Sequence, residues 1–323
     1  MMADRRRING PAGTAPPSYA INTSDLEKLR PSRNRRPEEL RKIFLKTGVT
    51  PPASGSAYLE LQSPTYDLPV KSVLPPASAL KISCAVHGPK PLPRSAPYNP
   101  QLVLSTHVKF APFATRHRRG YIRDSTERDL GAHLENALRG IVIGKRWPKS
   151  GVDVIITILE GEEDRWWGDE VSGGTTGLGV VGGWGMMNVL AGCITVASAA
   201  LVDAGIDCVD LVCGGVAAIL PSPDSKDNQT QQSITVLDPS PPEHPEIQAA
   251  CVVGYSASRD EITELWLKGD SGAATEQLID SAVAAAVATR AVMVEAMSET
   301  ALSKFPEADI KSAFPSADAV MSG

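Results

Sequence analysis

The sequence predicts an α+β fold in which mixed or antiparallel β-sheets carry helices on their faces. Three observations lead there. The segments run three strands, a helix, a strand, a helix, four strands and a helix, which is neither strict βαβ alternation nor an all-β pattern. At 42% hydrophobic residues, the 323-residue chain can bury a sizeable core without staples. The helical stretches are amphipathic or small-residue rich, as suits packing on a sheet.

Residues 1–36 mix Arg, Pro, Gly, Ser and Asn without apolar periodicity. Such a segment buries too little surface to offset its ordering entropy, so it is expected to be a basic flexible tail. Residues 37–300 are expected to form the folded domain and residues 301–323 a C-terminal tail. Gly55 to Gln62 (GSAYLELQ) alternates, with Ala57, Leu59 and Leu61 on one side, and predicts a strand. A Pro-rich excursion from Ser63 to Pro76 precedes a second strand, Lys81 to His87, with Ile82, Cys84 and Val86 inward; the G-P-K-P run after it is expected to stop it. Gln101 to Phe110 is a third alternating stretch. It leads into the basic loop Thr115 to Arg123 (TRHRRGYIR).

Asp124 with Glu127 three residues later fits a capping box, and Leu130, Leu134, Leu138 and Ile141 form one helical face that Gly140 and Gly144 then end. Val152 to Glu160 is rich in β-branched residues and predicts a strand buried on both faces. A glycine-rich loop, Gly161 to Gly185, precedes a small-residue helix over about Met187 to Ala204. Strands are predicted over Cys208 to Leu220, Ser233 to Leu237, Ile247 to Gly254 and Ile262 to Leu267, with a polar insertion from Pro221 to Gln232. The closing helix starts near Asp270 or Ser271, with Ile279, Val283, Val287 and Val294 expected on one stripe.

Five cysteines, odd in number and without a C-x-x-C pair, argue against a disulfide framework and a zinc site and for buried thiols in a reducing compartment. The most apolar stretch, Met186 to Val202, falls short of the roughly 20 residues a bilayer requires, so no membrane partner is expected. Arg5, Arg6 and Arg7 have no apolar run behind them, so no secretory signal is expected. Net charge is −5, but the first 48 residues hold eleven basic against five acidic side chains, a balance of +6 that leaves −11 for the rest. A basic arm on an acidic body suits phosphates or acidic surfaces; a solvated tail is the alternative.

The run Gly173 to Gly185 lacks G-K-[ST] and does not match a dinucleotide fingerprint, so a phosphate loop is not expected. His87, His117, His133 and His244 show no ligand spacing for a metal, and no G-x-S-x-G elbow exists. The strongest feature is the loop with Arg116, Arg118, Arg119 and Arg123, which can neutralise several phosphates of a nucleic-acid backbone or pair with an acidic neighbouring subunit. Tyr121 there can stack on a base or serve packing.

Four segments then carry a resemblance: Arg36 to Leu61 ending in GSAYLEL, Ala85 to Lys90 (AVHGPK), the helix from Asp124 to Ile143 followed by KRWPKSGVDVIITILE, and Ala199 to Ile206 (AALVDAGI). In this order and spacing they resemble the ribonuclease PH family over about residues 36–300. The resemblance implies a ribonuclease PH-like fold, whose active members degrade RNA from the 3′ end with inorganic phosphate as nucleophile. Active members set a Thr-Arg or Ser-Arg pair by the small-residue helix; the matching positions are Val189 and Leu190, which cannot bind an anion. Thr126 stands where the family has an RNA-gripping arginine. Asp238 matches the first of two carboxylates six apart, while the second falls on His244, with Glu243 and Glu246 beside it.

The resemblance therefore implies no catalytic residue, metal or cofactor. It implies a catalytically inactive subunit of an RNA exosome core ring, set in a hetero-hexamer of ribonuclease PH-like subunits with S1 or KH cap subunits, that guides RNA for 3′-5′ degradation and processing. RNA contacts are expected at Arg116, Arg118, Arg119 and Arg123, and the location implied is the nucleus, nucleolus and cytoplasm. The alternative is an active phosphate-dependent exoribonuclease with Asp238 as acid and a cation lent by a neighbour. A small-molecule kinase using the glycine loop is the third class, and it requires nucleotide binding by the lone chain.

Overall fold

The computed structural model describes residues 30–63, 79–116, 118–164, 166, 183–221, 233–244 and 246–304. Alternating stretches build two sheets. The first holds β1 (Ile43–Thr47), β2 (Gly55–Leu61), β3 (Lys81–Pro91), β4 (Val103–Phe110) and β5 (Ser150–Glu160) in the order β1-β2-β3-β5-β4. Its pairs are antiparallel except β4 with β5, which is parallel, so the sheet is mixed. The second holds β6 (Val212–Pro221), β7 (Ser233–Leu237), β8 (Ala249–Ser256) and β9 (Glu261–Gly269) in the antiparallel order β7-β6-β8-β9. The α+β expectation holds.

Helix α1 (Ser125–Arg139) covers β4, α2 (Gly185–Asp203) lies between the sheets, and α3 (Thr275–Lys304) lies on the outer side of β6 and β8. The predicted capping box starts α1: Asp124 accepts from the first-turn backbone and Glu127 accepts from the Asp124 N–H at 3.0 Å. Leu130, Leu134, Leu138 and Ile141 are all buried, as the spacing predicts. Helix α2 is apolar all round and buried from Gly185 through Leu201, because both of its sides meet a sheet.

Two adjacent glycines in β6 set the layer spacing. A Cβ on Gly214 would stand 2.2 Å from the Ala191 carbonyl of α2, and one on Gly215 would stand 2.2 Å from the Ala282 carbonyl of α3. Successive residues of a strand point to opposite faces, so this pair admits a helix backbone on each side.

Several expectations are corrected. Strand β3 does not stop at His87: it runs on to Pro91 through a cis Gly88–Pro89 bond and a register shift against β5. Strand β5 is not buried on both faces, since Val152, Val154, Ile156 and Ile158 are enclosed while Ile155 is 38% exposed. In α3, Val287 and Val294 face outward, and Leu278, Ala282, Ala285, Ala286, Thr289 and Met293 are buried instead. The close approach at Gly215 favours small side chains on the sheet-facing stripe. Cys208 lies before β6, joined to Val142 by an isolated bridge. Strand β1 was not anticipated.

The folded unit is also wider than 37–300. Arg33 and Arg35 bond to residues of the body at one end, and α3 runs to Lys304, whose ammonium lies 2.6 Å from Asp203, at the other. Residues 1–29 and 305–323 lie outside the described residues, as do most of the insertions read at 63–76, 161–185 and 221–232.

Candidate functional site

Two places bear on chemistry, the start of α2 and the arginine loop before α1. At the first, the turn after β5 delivers Glu162 and Asp164 to the helix end. The Gly185 N–H donates to Asp164 Oδ1 at 2.9 Å, so the chain's own carboxylate occupies a donor that could otherwise receive an anion. One turn further in, Asn188 Nδ2 donates to Glu162 Oε2 at 2.8 Å and to the Pro239 carbonyl at 2.6 Å, and Ser240 donates to Glu162 Oε1 at 2.7 Å.

Arg41 binds this group together. Its Nη1 and Nη2 donate to Glu162 at 2.9 and 3.1 Å, while Nη2, Nε and the backbone N–H donate to Asp238 at 2.7, 2.9 and 2.9 Å. Both the Arg41 and Glu162 side chains are almost fully buried, at 2% and 1% exposure. Arg35 extends the network, with Nη1 3.2 Å from Asp238 and Nη2 2.7 Å from Glu243. Arg33 donates to the carbonyls of Leu237 and Asp238, at 3.0 and 3.3 Å. Asp238 holds a left-handed φ of +47°, a conformation Asp tolerates better than most residues.

Burial acts to raise the Asp238 carboxyl, but Arg41 and then Arg35 hold it well below the usual carboxylate range. At Arg41, burial works against the charge and is overcome by Asp238 and Glu162, which raise it. At Glu243 burial wins over Arg35 and pushes the carboxyl up. Burial, with Arg33 and Arg35 nearby, brings the His244 imidazole down to about 4. His244 Nε2 is buried without a hydrogen-bond partner.

The positions read from the sequence fall accordingly. Val189 and Leu190 are fully enclosed in the core. Thr126 sits at the start of α1, its hydroxyl 3.3 Å from Asp124 Oδ2. Asp238 and Glu243 are brought together through Arg35, whereas Glu246 is exposed. Arg33, Arg35, Arg41, Glu162, Asn188 and Ser240 were not anticipated as one cluster. Their only sequence signal was the density of arginines between residues 30 and 41. Among the described residues, no group of three or more His, Cys, Asp or Glu is placed to hold a metal ion.

At the second place, β4 ends and the chain turns toward α1. Arg116 and Arg118 are exposed, and the Arg116 N–H donates to Glu163 at 2.7 Å. The Arg119 guanidinium lies 4.1 Å above the Phe110 ring, and Arg123 Nη2 is 2.9 Å from His107 Nδ1. Lys109 ties the loop from below: its ammonium donates to the Gly120 and Ile122 carbonyls at 3.3 and 3.0 Å and to Glu127 at 2.9 Å. His117 lies outside the described residues.

Two sheets thus share a central helix, with a carboxylate cluster at the start of that helix. Residues 39–207 match the model of the 3′ exoribonuclease family, domain 1, of ribonuclease PH type, and the chain belongs to that family. Among its relatives, Exosome complex component MTR3 of Chaetomium thermophilum is 52% identical over 93% of this chain and 99% of its own length. Exosome complex component MTR3 of Homo sapiens is 28% identical over 84% of this chain and 85% of its own. The crystal structure of rice Rrp46 shares the fold, with a TM-score of 0.57 and 18% identity over 80% of this chain and 96% of that one.

Proposed function

We propose that the chain is a structural, catalytically inactive subunit of an RNA exosome core ring. In this reading it stands beside other ribonuclease PH-like subunits, meets S1 or KH cap subunits, and helps guide RNA for 3′-5′ degradation and processing. The similarity to exosome components over nearly the full chain supports the assembly. A single observation carries the inactivity: the cations nearest Asp238, those of Arg41 and Arg35, are engaged by the chain's own carboxylates, while Val189 and Leu190 offer the core in place of an anion site.

Phosphorolysis needs a fixed cation for the attacking phosphate, and removing one preorganised donor alone costs about 10² to 10³ in rate. Around the start of α2 a phosphate would meet Glu162, Asp164 and Asp238 instead. The RNA in the channel is held through its backbone, with Arg116, Arg118, Arg119 and Arg123 as the contacts and without sequence preference. In this reading the chain acts in the nucleus, nucleolus and cytoplasm, which imaging of a tagged chain checks.

The test is the assembled ring incubated with RNA and inorganic phosphate. No nucleoside diphosphate attributable to this subunit is expected, and product that depends on phosphate and disappears in Asp238→Ala would overturn the reading. Alanine at the four arginines is expected to weaken RNA protection by the ring, and undiminished protection at low salt would remove the loop from the RNA path.

A further inference from the structure

Tyr121 is 88% exposed, so a packing role within this chain does not account for it. Two other large apolar side chains on the same loop are equally outward, Phe113 at 74% and Ile122 at 69%. Leaving three such groups of one loop in water forgoes the stabilisation their burial would bring, and such exposure points to a contact surface.

The display is fixed by its supports. The Arg119 N–H donates to the Pro112 carbonyl at 3.1 Å, which brings the two limbs of the loop together beside Phe113 and Gly120. Lys109 holds the carbonyls on either side of Tyr121, those of Gly120 and Ile122. Glu127, itself buried, joins this ammonium to the Phe110 N–H at 2.9 Å and to the start of α1. The backbone of Tyr121 is therefore clamped while its ring is left open, an arrangement that lowers the entropic cost of a contact.

The chemistry of the partner follows from what surrounds the ring. Arg118 beside it is exposed, Arg116 and Arg123 lie within a few residues, and the nearby carboxylates are engaged: Glu127 with Lys109, Glu163 with the Arg116 N–H, and Asp124 4.0 Å from Arg119. Cations select a polyanion, and flat open rings select a partner with flat faces. Single-stranded nucleic acid combines the two, whereas a duplex hides its base faces in the stack and an acidic peptide has few flat ones.

We propose that Tyr121 stacks on the bases of single-stranded RNA while Arg118 holds the adjoining phosphate. The inference rests on the reading of this loop as an RNA contact and adds to it the residue that stacks on a base.

The experiment uses the assembled ring carrying Tyr121→Leu, Tyr121→Trp or Arg118→Ala, with two probes of equal length, oligouridylate and an abasic sugar-phosphate chain. Tyr121→Leu is expected to weaken oligouridylate binding about tenfold, to leave abasic binding unchanged, and to leave the salt dependence unchanged. Tyr121→Trp should restore the affinity. Arg118→Ala should weaken both probes and reduce the salt slope by about one. Unaltered oligouridylate affinity in Tyr121→Leu, or an equal loss on the abasic chain, overturns the stacking contact. Failure of the Tyr121→Leu ring to assemble overturns it in favour of a protein interface. If Arg118→Ala is silent as well, the RNA reading of the loop falls too, whereas an effect of Arg118→Ala alone removes only the stacking.

Discussion

Arg41 is the residue on which the cluster at the start of α2 depends. It is enclosed and satisfies two carboxylates at once, so removing it leaves Glu162 and Asp238 without their principal counter-charge. Breaking a buried pair from one side costs about 3 to 5 kcal/mol, and Arg41→Met is expected to lose roughly that amount in chemical unfolding at neutral pH. The acid dependence has a definite sign. Asp238 titrates lower folded than unfolded, so its contribution is complete above its ordinary value of 3.8 and is lost as the pH falls below it. The gap between the two proteins should therefore narrow below about pH 3.8. The sequence exposed part of this site: Leu190, apolar where the family resemblance implies an anion-binding residue, was legible by counting back from the AALVDAGI segment. The network was not, because Arg41 and Asp238 are 197 residues apart and no local pattern connects them. Arg33 and Arg35 looked like tail residues for the same reason; their partners belong to the far end of the chain.

At the level of elements, the alternating strands and the capped helix α1 were legible since their signals are local. The closing helix was misread because bulk was taken as the mark of its buried side. The true determinant is in β6, where Gly214 and Gly215 let α2 and α3 come within backbone contact, so alanines rather than valines meet the sheet. This gives a paired expectation. Gly214→Ala should displace α2, and Gly215→Ala should displace α3, each by overpacking that typically costs 1 to 3 kcal/mol. Unfolding measurements on the two single variants check the cost, and amide exchange should show loosening in a different helix for each. Loss of less than a few tenths of a kcal/mol in either would mean that the helix shifts freely. The exposed face of β5 has a related origin. Its β-branched composition suits a strand enclosed on both sides, yet nothing among the described residues of this chain covers Ile155.

For the molecule as a whole, the match to the family's domain 1 ends sooner than the architecture does. The matched region stops at residue 207, just past α2, whereas the second sheet is built from residues 212 to 269. Helix α2 packs against β2 and β3 on one side and against β6 and β8 on the other. A fragment ending at 207 would keep the whole matched domain and yet present Ala191, Ile194 and their neighbours to water. Such a fragment should be recovered aggregated or loosely structured, while residues 30–304 fold; circular dichroism and dye binding distinguish the two. The matched domain and the cooperative unit thus have different borders on this chain, and a graft or deletion planned from the first border would cut through the keystone that both halves lean on.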